Sequence, residues 1–126
     1  MRFLIIFFIS ILVISCARQG SPSGGPKDET PPKFLSSSPD TLSLNVPTDL
    51  KEIKINFDEY IVLKDHTQQI VVSPPLGSGT TYMPVGTARK DILIKLEEPL
   101  EENTTYNINF GTAIQDNNEG NKLPYF

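Results

Sequence analysis

Apolar and polar side chains alternate along residues 52–57, where Ile53, Ile55 and Phe57 fall on one face and charged or polar residues on the other. A period of two over this length predicts a strand with one buried face. The same alternation recurs at residues 105–110. The pattern therefore predicts β-structure in both halves of the chain.

Other segments are short, rich in β-branched or aromatic residues and bounded by turn-forming residues. The full set of predicted strands is 34–39, 52–57, 69–73, 81–85, 91–96 and 105–110. In the last of these, Tyr106, Ile108 and Phe110 are expected to point inward. Pro84 has no N–H to donate, which favours an edge position for its strand. No window shows a convincing helical stripe, so the pattern predicts an all-β, antiparallel sandwich.

The start of the chain has a different pattern. Arg2 is followed by an apolar run over residues 3–14 that only Ser10 interrupts. This run is shorter than the roughly 20 residues that span a bilayer. A positive start and a short apolar core are typical of a cleaved signal peptide, here residues 1–15. The alternative is an uncleaved N-terminal anchor.

The single cysteine, Cys16, lies at the end of that run. Residues 13–16 resemble the lipobox of bacterial lipoproteins, and the resemblance implies a diacylglycerol on the Cys16 thiol with cleavage of the preceding bond. The alternative is a free buried cysteine. A lone cysteine in an exported protein has no disulfide partner and needs another explanation, which favours lipidation. Two or more acyl chains would anchor the protein stably to a membrane.

Composition separates a tether from a folded domain. Residues 16–32 are rich in Gly, Ser and Pro and poor in apolar residues, which predicts a flexible, disordered tether after the lipidated cysteine. Residues 33–126 are expected to form the one β-domain. The net charge of −4 argues against a nucleic-acid partner and against polybasic binding to anionic lipid. A membrane-bound form would therefore depend on the lipid rather than on charge.

One pair of residues resembles a feature of Greek-key sandwiches. Leu100 lies six residues before Tyr106, which opens a predicted strand. This spacing resembles the tyrosine corner, in which a phenol turns back to bond the upstream backbone.

Taken together, these stretches resemble the SbsA-type bacterial Ig-like domain of Gram-negative outer-membrane lipoproteins. The matching segments are residues 24–32, 55–60, 73–76, 100–111 and 116–121. The resemblance implies an immunoglobulin-like β-sandwich and a surface location, and it implies no known activity. Such proteins continue through a final strand, and here residues 122–126 lie where that strand is expected. The domain is therefore expected to be truncated in its last strand, or to have a very short one, with part of its core uncovered.

Two polar groups in the sequence are candidates for catalysis. His66 is the only histidine in the sequence. It is either a general base or a loop residue that follows Lys64 and Asp65. Nothing marks a nucleophile that would converge on it, so we interpret it as a loop residue. Asp58 and Glu59 are a candidate acid/base pair, as in a glycosidase. Adjacent residues of a strand point to opposite faces, so the two carboxylates would not share a site. A solvated strand end is the favoured interpretation.

Three other motifs carry chemistry. Residues 116–121 offer oxygen ligands for Ca²⁺, but the run is shorter than an EF-hand loop, and a turn with Gly120 or an Asn at positive φ is favoured. Residues 27–29 are either a surface-sorting signal or a solvated linker, and both interpretations stay open. Residues 40–42 resemble a bacterial O-glycosylation site, a match that arises easily by chance. No catalytic residue, metal site or cofactor is expected.

The sequence thus predicts a non-catalytic binding or structural module, lipid-anchored in the outer membrane and facing either the periplasm or the cell surface. Its partners would be surface proteins or glycans, bound through loops or an exposed sheet edge, with no small-molecule substrate. The alternative is an N-terminal accessory domain of a larger surface enzyme or uptake protein. A small hydrolase would need a cluster of titratable residues that the sequence lacks.

Overall fold

A computed structural model describes residues 24–126 of the chain. The predicted signal peptide, Cys16 and the first part of the predicted tether lie outside the described residues. Within the described part, no helix is both long enough and apolar enough to cross a membrane.

The described residues form short strands and a single-turn helix. In chain order these are β1 (Phe34–Ser38), β2 (Glu52–Leu63), α1 (His66–Gln69), β3 (Val71–Ser73), β4 (Thr81–Met83), β5 (Arg89–Lys95), β6 (Asn107–Asn109) and β7 (Ile114–Asp116). A strand lies in every segment where the sequence predicted one. The lengths differ, because β2 has 12 residues and β6 has only 3.

The strands form two antiparallel sheets. In the larger sheet the order is β1-β2-β5-β4, and β7 pairs with the second half of β2. The smaller sheet contains β3 and β6. The predicted all-β antiparallel sandwich is therefore confirmed.

Alternate side chains of β2 supply much of the core. Ile55, Phe57, Ile61 and Leu63 are all buried at this spacing, and Glu59 is the polar residue among them. Burying each such apolar side chain contributes about 1.5–3 kcal/mol. The rest of the core comes from β5 and from the chain around β7: Ile92, Ile94, Leu96, Phe110, Ala113 and Ile114.

The interpretation of Asp58 and Glu59 as a solvated strand end was wrong, because both lie inside β2. The pairing of β2 with β5 shifts register between Asn56 and Ile61, so the two acids lie in an irregular stretch of a strand that continues. Asp58 is exposed and Glu59 is half-buried, as expected for neighbours on opposite faces. Lys90 Nζ donates to the Asp58 carbonyl oxygen at 3.1 Å.

Residues 28–32, which the sequence assigned to the tether, contact the domain. Pro32 is fully buried. The next residue, Lys33, donates its N–H to Asp58 Oδ1 at 2.8 Å. The side chain of Asn121 donates to the carbonyl oxygens of Asp28 and Thr30. The composition of residues 16–32 is polar overall, and it does not reveal that the Pro32 ring packs into the fold.

The C-terminal segment pairs with the chain that precedes it. Leu123 N donates to Ile114 O, Tyr125 N donates to Gly111 O, and Phe110 N donates to Phe126 O at 2.6 Å. Residues 121–126 therefore run antiparallel to residues 110–116. This places the last aromatic ring over the core.

Phe126 packs against three other phenylalanines. Its ring centroid lies 5.4 Å from that of Phe34, 5.8 Å from that of Phe57 and 5.7 Å from that of Phe110. These are distances at which tilted and edge-on aromatic pairs attract each other. The Phe126 ring therefore covers part of the core, which the sequence had predicted to be uncovered.

We expect Phe126→Ala to lower the free energy of unfolding by about 3 kcal/mol, because it removes an aromatic side chain from a packed cluster. Chemical denaturation followed by circular dichroism measures the change. Tyr125→Ala is the matched control, since the Tyr125 side chain is 90% exposed, and we expect a change within about 0.5 kcal/mol. Equal losses in the two variants would contradict a structural role for the Phe126 ring.

Candidate functional site

His66 does not lie in a loop, as the sequence suggested, but begins α1. The turn forms because Asp65, at φ 48, accepts hydrogen bonds at its carbonyl oxygen from Gln68 N and Gln69 N. A shallow depression around His66 is lined by Thr67, Ile70, Thr80, Thr81 and Tyr82. No carboxylate is among these described residues to orient an imidazole as a base.

Several carboxylates lie near Glu59. Burial raises the pKa of Glu59, and the negative charges of Asp116 and Asp58 raise it further. Within residues 24–126, no group of three His, Cys, Asp or Glu side chains is placed to hold a metal ion. The like charges around Glu59 therefore disfavour its ionised form.

Asp116 is the one buried charged residue of the described core, with 2% of its surface exposed. Its Oδ1 accepts from the N–H groups of Glu119 and Gly120 at 2.6 and 2.9 Å, and its Oδ2 accepts from that of Asn121 at 3.0 Å. Burial raises the pKa of Asp116, but these bonds outweigh it and hold the pKa below its usual value. The Asp116 carboxylate therefore stabilises the turn in which the chain reverses direction.

The predicted turn at residues 116–121 is confirmed, and Gly120 is its residue at positive φ, 77°. A side chain at that φ is strained, which explains the glycine. The turn leads to Lys122, which pairs with Gln115. The turn directs residues 122–126 back along the core.

The described chain has an open groove of ≈ 880 Å³. Ile55, Ile108 and Phe110 contribute apolar surface to it, and Ile55 and Phe110 are core residues. One wall is the loop at residues 39–48, and the other is the segment at residues 100–107. Tyr125 and Phe126 also line the groove.

Large apolar side chains stand exposed along this groove. Leu42 is 93% exposed, Leu44 is 86% exposed and Tyr125 is 90% exposed. Single exposed apolar residues are common on protein surfaces, but several along one apolar groove mark an interaction site. The sequence pattern did not predict this site, although Leu42 and Leu44 in a polar loop were a visible signal.

The wall at residues 100–107 is held by Tyr106. The Glu101 N–H donates to the Tyr106 hydroxyl oxygen at 3.0 Å, which confirms the predicted tyrosine corner. The Leu100 N–H donates to the Thr48 carbonyl oxygen at 2.8 Å and so ties this wall to the loop opposite. The groove therefore has walls fixed by hydrogen bonds.

The charged residues that line the groove are all acidic. They are Asp40, Glu101 and Glu102, and no lysine or arginine of the described chain lines it. The potential at its rim is therefore negative, and a ligand with positive charge is favoured there.

Two other sequence candidates lie on the surface. Residues 27–29 are exposed, and a hydrogen bond from Thr30 lowers the pKa of Asp28. Residues 40–42 are exposed in the groove wall, where Thr41 Oγ1 lies 3.4 Å from Ser37 Oγ. Sorting and glycosylation stay predictions.

The comparisons with known proteins agree with this fold. Residues 28–125 match the family model described as the bacterial Ig-like domain. Searches of curated proteins and of solved structures gave no match. The matched residues include every strand described above, so the sandwich is of the immunoglobulin-like class.

We expect Tyr106→Phe to lower the free energy of unfolding by about 0.5–1.5 kcal/mol, because it removes the acceptor for the Glu101 N–H. Thermal unfolding followed by circular dichroism measures this. The control is Tyr60→Phe, at a tyrosine that is 57% exposed, where we expect almost no change. A stable Tyr106→Phe variant would show that the corner does not hold the wall.

We expect Asp116→Asn to lower the free energy of unfolding at pH 7 by about 1–3 kcal/mol, since an amide N–H₂ replaces an acceptor oxygen and leaves a buried donor unpaired. Urea denaturation of both proteins measures the change. Asp49→Asn, at an exposed position, is the matched control and should change stability by less than about 0.5 kcal/mol.

The effect of Asp116→Asn also depends on pH. Because the folded pKa of Asp116 lies below its usual value, the stabilisation is present above the unfolded pKa of about 3.9 and is lost as pH falls through the folded pKa. The gap in unfolding free energy between wild type and variant should therefore narrow below about pH 3.9. A gap that stays constant down to pH 2 would contradict this.

Proposed function

Because the chain belongs to the bacterial Ig-like domain family, we propose that it is a non-catalytic binding or structural module displayed at the cell surface. Within this family we assign it to the SbsA-type lipoproteins. A lipid on Cys16 anchors it to the outer membrane, and its partners are other surface proteins or glycans.

The observation that carries the binding role is the apolar groove with its exposed leucines. Leu42 and Leu44 are almost fully exposed, although each would contribute about 1.5–3 kcal/mol if it were covered. Two of the acids considered for chemistry accept backbone N–H groups of the protein itself: Asp58 from Lys33, and Asp116 from the turn that follows it. A surface that gains free energy when covered supports a role in binding.

The sequence around Cys16 supports the anchor. An apolar run ends in residues 13–16, which resemble a lipobox, and a Gly-, Ser- and Pro-rich stretch follows. Fully flexible, residues 16–32 would span roughly 20–25 Å, about 5–6 Å times the square root of the residue number. Docking of Asp28 and Thr30 against Asn121 shortens this reach. The domain is therefore held close to the membrane.

The same groove also favours the second candidate, an accessory domain of a larger surface enzyme or uptake protein. In that case the segment that covers the groove belongs to the same polypeptide. The two candidates differ in the mass of the native lipidated protein.

We expect Cys16→Ala to move the protein from the membrane fraction to the soluble fraction of its host, because it removes the thiol that accepts the lipid. Ser23→Ala, in the predicted tether, is the control and should stay with the membrane. Mass spectrometry of the detergent-extracted wild type should show Cys16 as the first residue, carrying two or three acyl chains.

Two results would contradict this proposal or one part of it. An unmodified wild-type chain that begins at Met1 would exclude lipidation. A lipidated species much heavier than residues 16–126 would favour the accessory domain of a larger protein.

A further inference from the structure

We propose that one end of the domain faces an anionic phospholipid surface and that the loops that form the groove walls point away from it. The end that faces the lipid, which we call the exit end, consists of residues 64–70 and 84–89. The opposite end, which we call the acidic end, consists of residues 39–52 and 95–107. This inference rests on the proposed attachment at Cys16, to which it adds an orientation.

The longest strand, β2, separates these two ends. At the acidic end, Glu52 pairs with Lys95. At the exit end, the Leu63 N–H donates to the Pro84 carbonyl oxygen at 3.4 Å. Because β2 has 12 residues and a strand rises about 3.3 Å per residue, the two ends lie roughly 35 Å apart.

The docked segment, residues 28–33, joins β1 beside the middle of β2. The Lys33 N–H donates to Asp58 Oδ1 at 2.8 Å, and the Asp58 N–H donates to the Lys33 carbonyl oxygen at 3.1 Å. These two hydrogen bonds fix the level at which the segment meets the larger sheet.

Followed back to its first residue, the docked segment leads toward the exit end. The Asn121 side chain donates to the Asp28 carbonyl oxygen at 3.0 Å. The Asn121 carbonyl oxygen accepts from Asp116 N, and Asp116 pairs with Ile61 of β2. The contacts of the segment therefore move from position 58 of β2 to the level of position 61. The part of the tether that precedes residue 28 thus leaves the domain close to the exit end.

The length of the remaining tether disfavours the inverted orientation. Residues 17–27 lie between Cys16 and the docked segment. A fully flexible chain of this length spans roughly 17–20 Å, about 5–6 Å times the square root of the residue number. If the acidic end faced the lipid, residue 27 would lie roughly 30 Å or more from the surface, since about nine strand residues separate position 61 from Glu52. Fully extended, the same residues reach at most roughly 36–40 Å. The inverted orientation therefore stretches the tether and costs conformational entropy.

The charge of the two ends favours the same orientation. At the acidic end, seven acids against two lysines give a net charge of −5, and all seven acids are exposed. At the exit end, Lys64 and Arg89 against Asp65 give a net charge of +1, with His66 counted as neutral. An anionic lipid surface repels the acidic end within a Debye length of about 8–10 Å.

This orientation requires no basic patch. The lipid on Cys16 holds the protein at the membrane, and charge only selects which end faces it. Residues 27–33 carry two lysines and two acids, and so add no net charge beside the exit end. The groove walls point away from the lipid although the domain stays close to it.

The test measures energy transfer from single tryptophans to a lipid label. The sequence contains no tryptophan, so an introduced one reports a single position. The full chain, extracted in detergent from its host's membranes, is reconstituted in vesicles of phosphatidylcholine and phosphatidylglycerol that contain a lipid with a dansyl-labelled headgroup. The two variants are Val85→Trp at the exit end and Leu44→Trp at the acidic end, both at exposed apolar residues. Transfer from the first should be at least about twofold more efficient, because the two positions differ by roughly 30 Å in their distance from the lipid.

Variants of the turn and of the tether test the docked segment. Asn121→Ala removes the side chain that holds residues 28–30, so transfer from the two tryptophan positions should become more nearly equal. Asn118→Ala, at an exposed position in the same turn, is the matched control and should leave the ratio unchanged. Repeating residues 17–27 within the tether should act as Asn121→Ala does, without altering the turn.

Charge reversal tests the contribution of the acidic end. Glu101→Lys combined with Glu102→Lys changes the net charge of that end from −5 to −1. On anionic vesicles this should lower the transfer ratio to the value found on pure phosphatidylcholine, and salt at about 1 M should do the same. Glu29→Lys combined with Glu119→Lys makes the same change in charge away from the acidic end, and it should not lower the ratio.

Equal transfer from the two tryptophan variants on anionic vesicles would overturn the proposal, and so would greater transfer from Leu44→Trp. Lipidation is measured separately, by mass spectrometry at Cys16. If Cys16 proves unmodified, the anchoring proposal fails, and the vesicle experiment is done with the Cys16 thiol coupled to a maleimide lipid. Because Cys16 is the only cysteine in the sequence, this coupling attaches the chain at the same residue. Failure of the orientation is therefore distinguishable from failure of the anchor.

Discussion

The pairing of β2 with three other strands is the interaction on which the rest of the structure depends. β1 and β7 pair with successive halves of β2, and β5 pairs along its other side. The buried side chains of β2 also supply four core residues: Ile55, Phe57, Ile61 and Leu63. Because the strand is long, it carries the register from one end of the larger sheet to the other. The pairing with β5 shifts register between Asn56 and Ile61, but the alternation along β2 continues through this stretch, so Glu59 falls in the row of inward-facing positions.

The C-terminal segment closes the fold through two different forces. At one end, the buried Asp116 carboxylate accepts three backbone N–H groups and reverses the chain. At the other end, the Phe126 ring packs among three phenylalanines. The polar interaction sets the direction of the segment, and the aromatic contact covers part of the core. Within the described residues the smaller sheet has only two strands, and the groove lies beside β6.

These features relate the fold to the proposed binding role. Asp58 and Asp116, two acids that suggested chemistry in the sequence, accept hydrogen bonds from the protein's own backbone. The surface left for a ligand is apolar, with an acidic rim. An Ig-like domain on a short lipid-linked tether would present this groove close to the membrane.

Local pattern indicated every strand except β7, because alternation such as that at Ile53, Ile55 and Phe57 reports burial directly. It also indicated the Tyr106 corner and the turn at Gly120. Residues 1–23, with Cys16, are known from their sequence alone. Only the tertiary structure decided the length of β2, since the polar residues that interrupt the alternation after Phe57 are compatible with a strand end until β7 pairs beyond them. The burial of Asp116, the docking of Pro32 and the meeting of the groove's two walls were likewise invisible to the sequence. Each depends on contacts between residues far apart in the chain, and local periodicity carries no information about which distant segments meet.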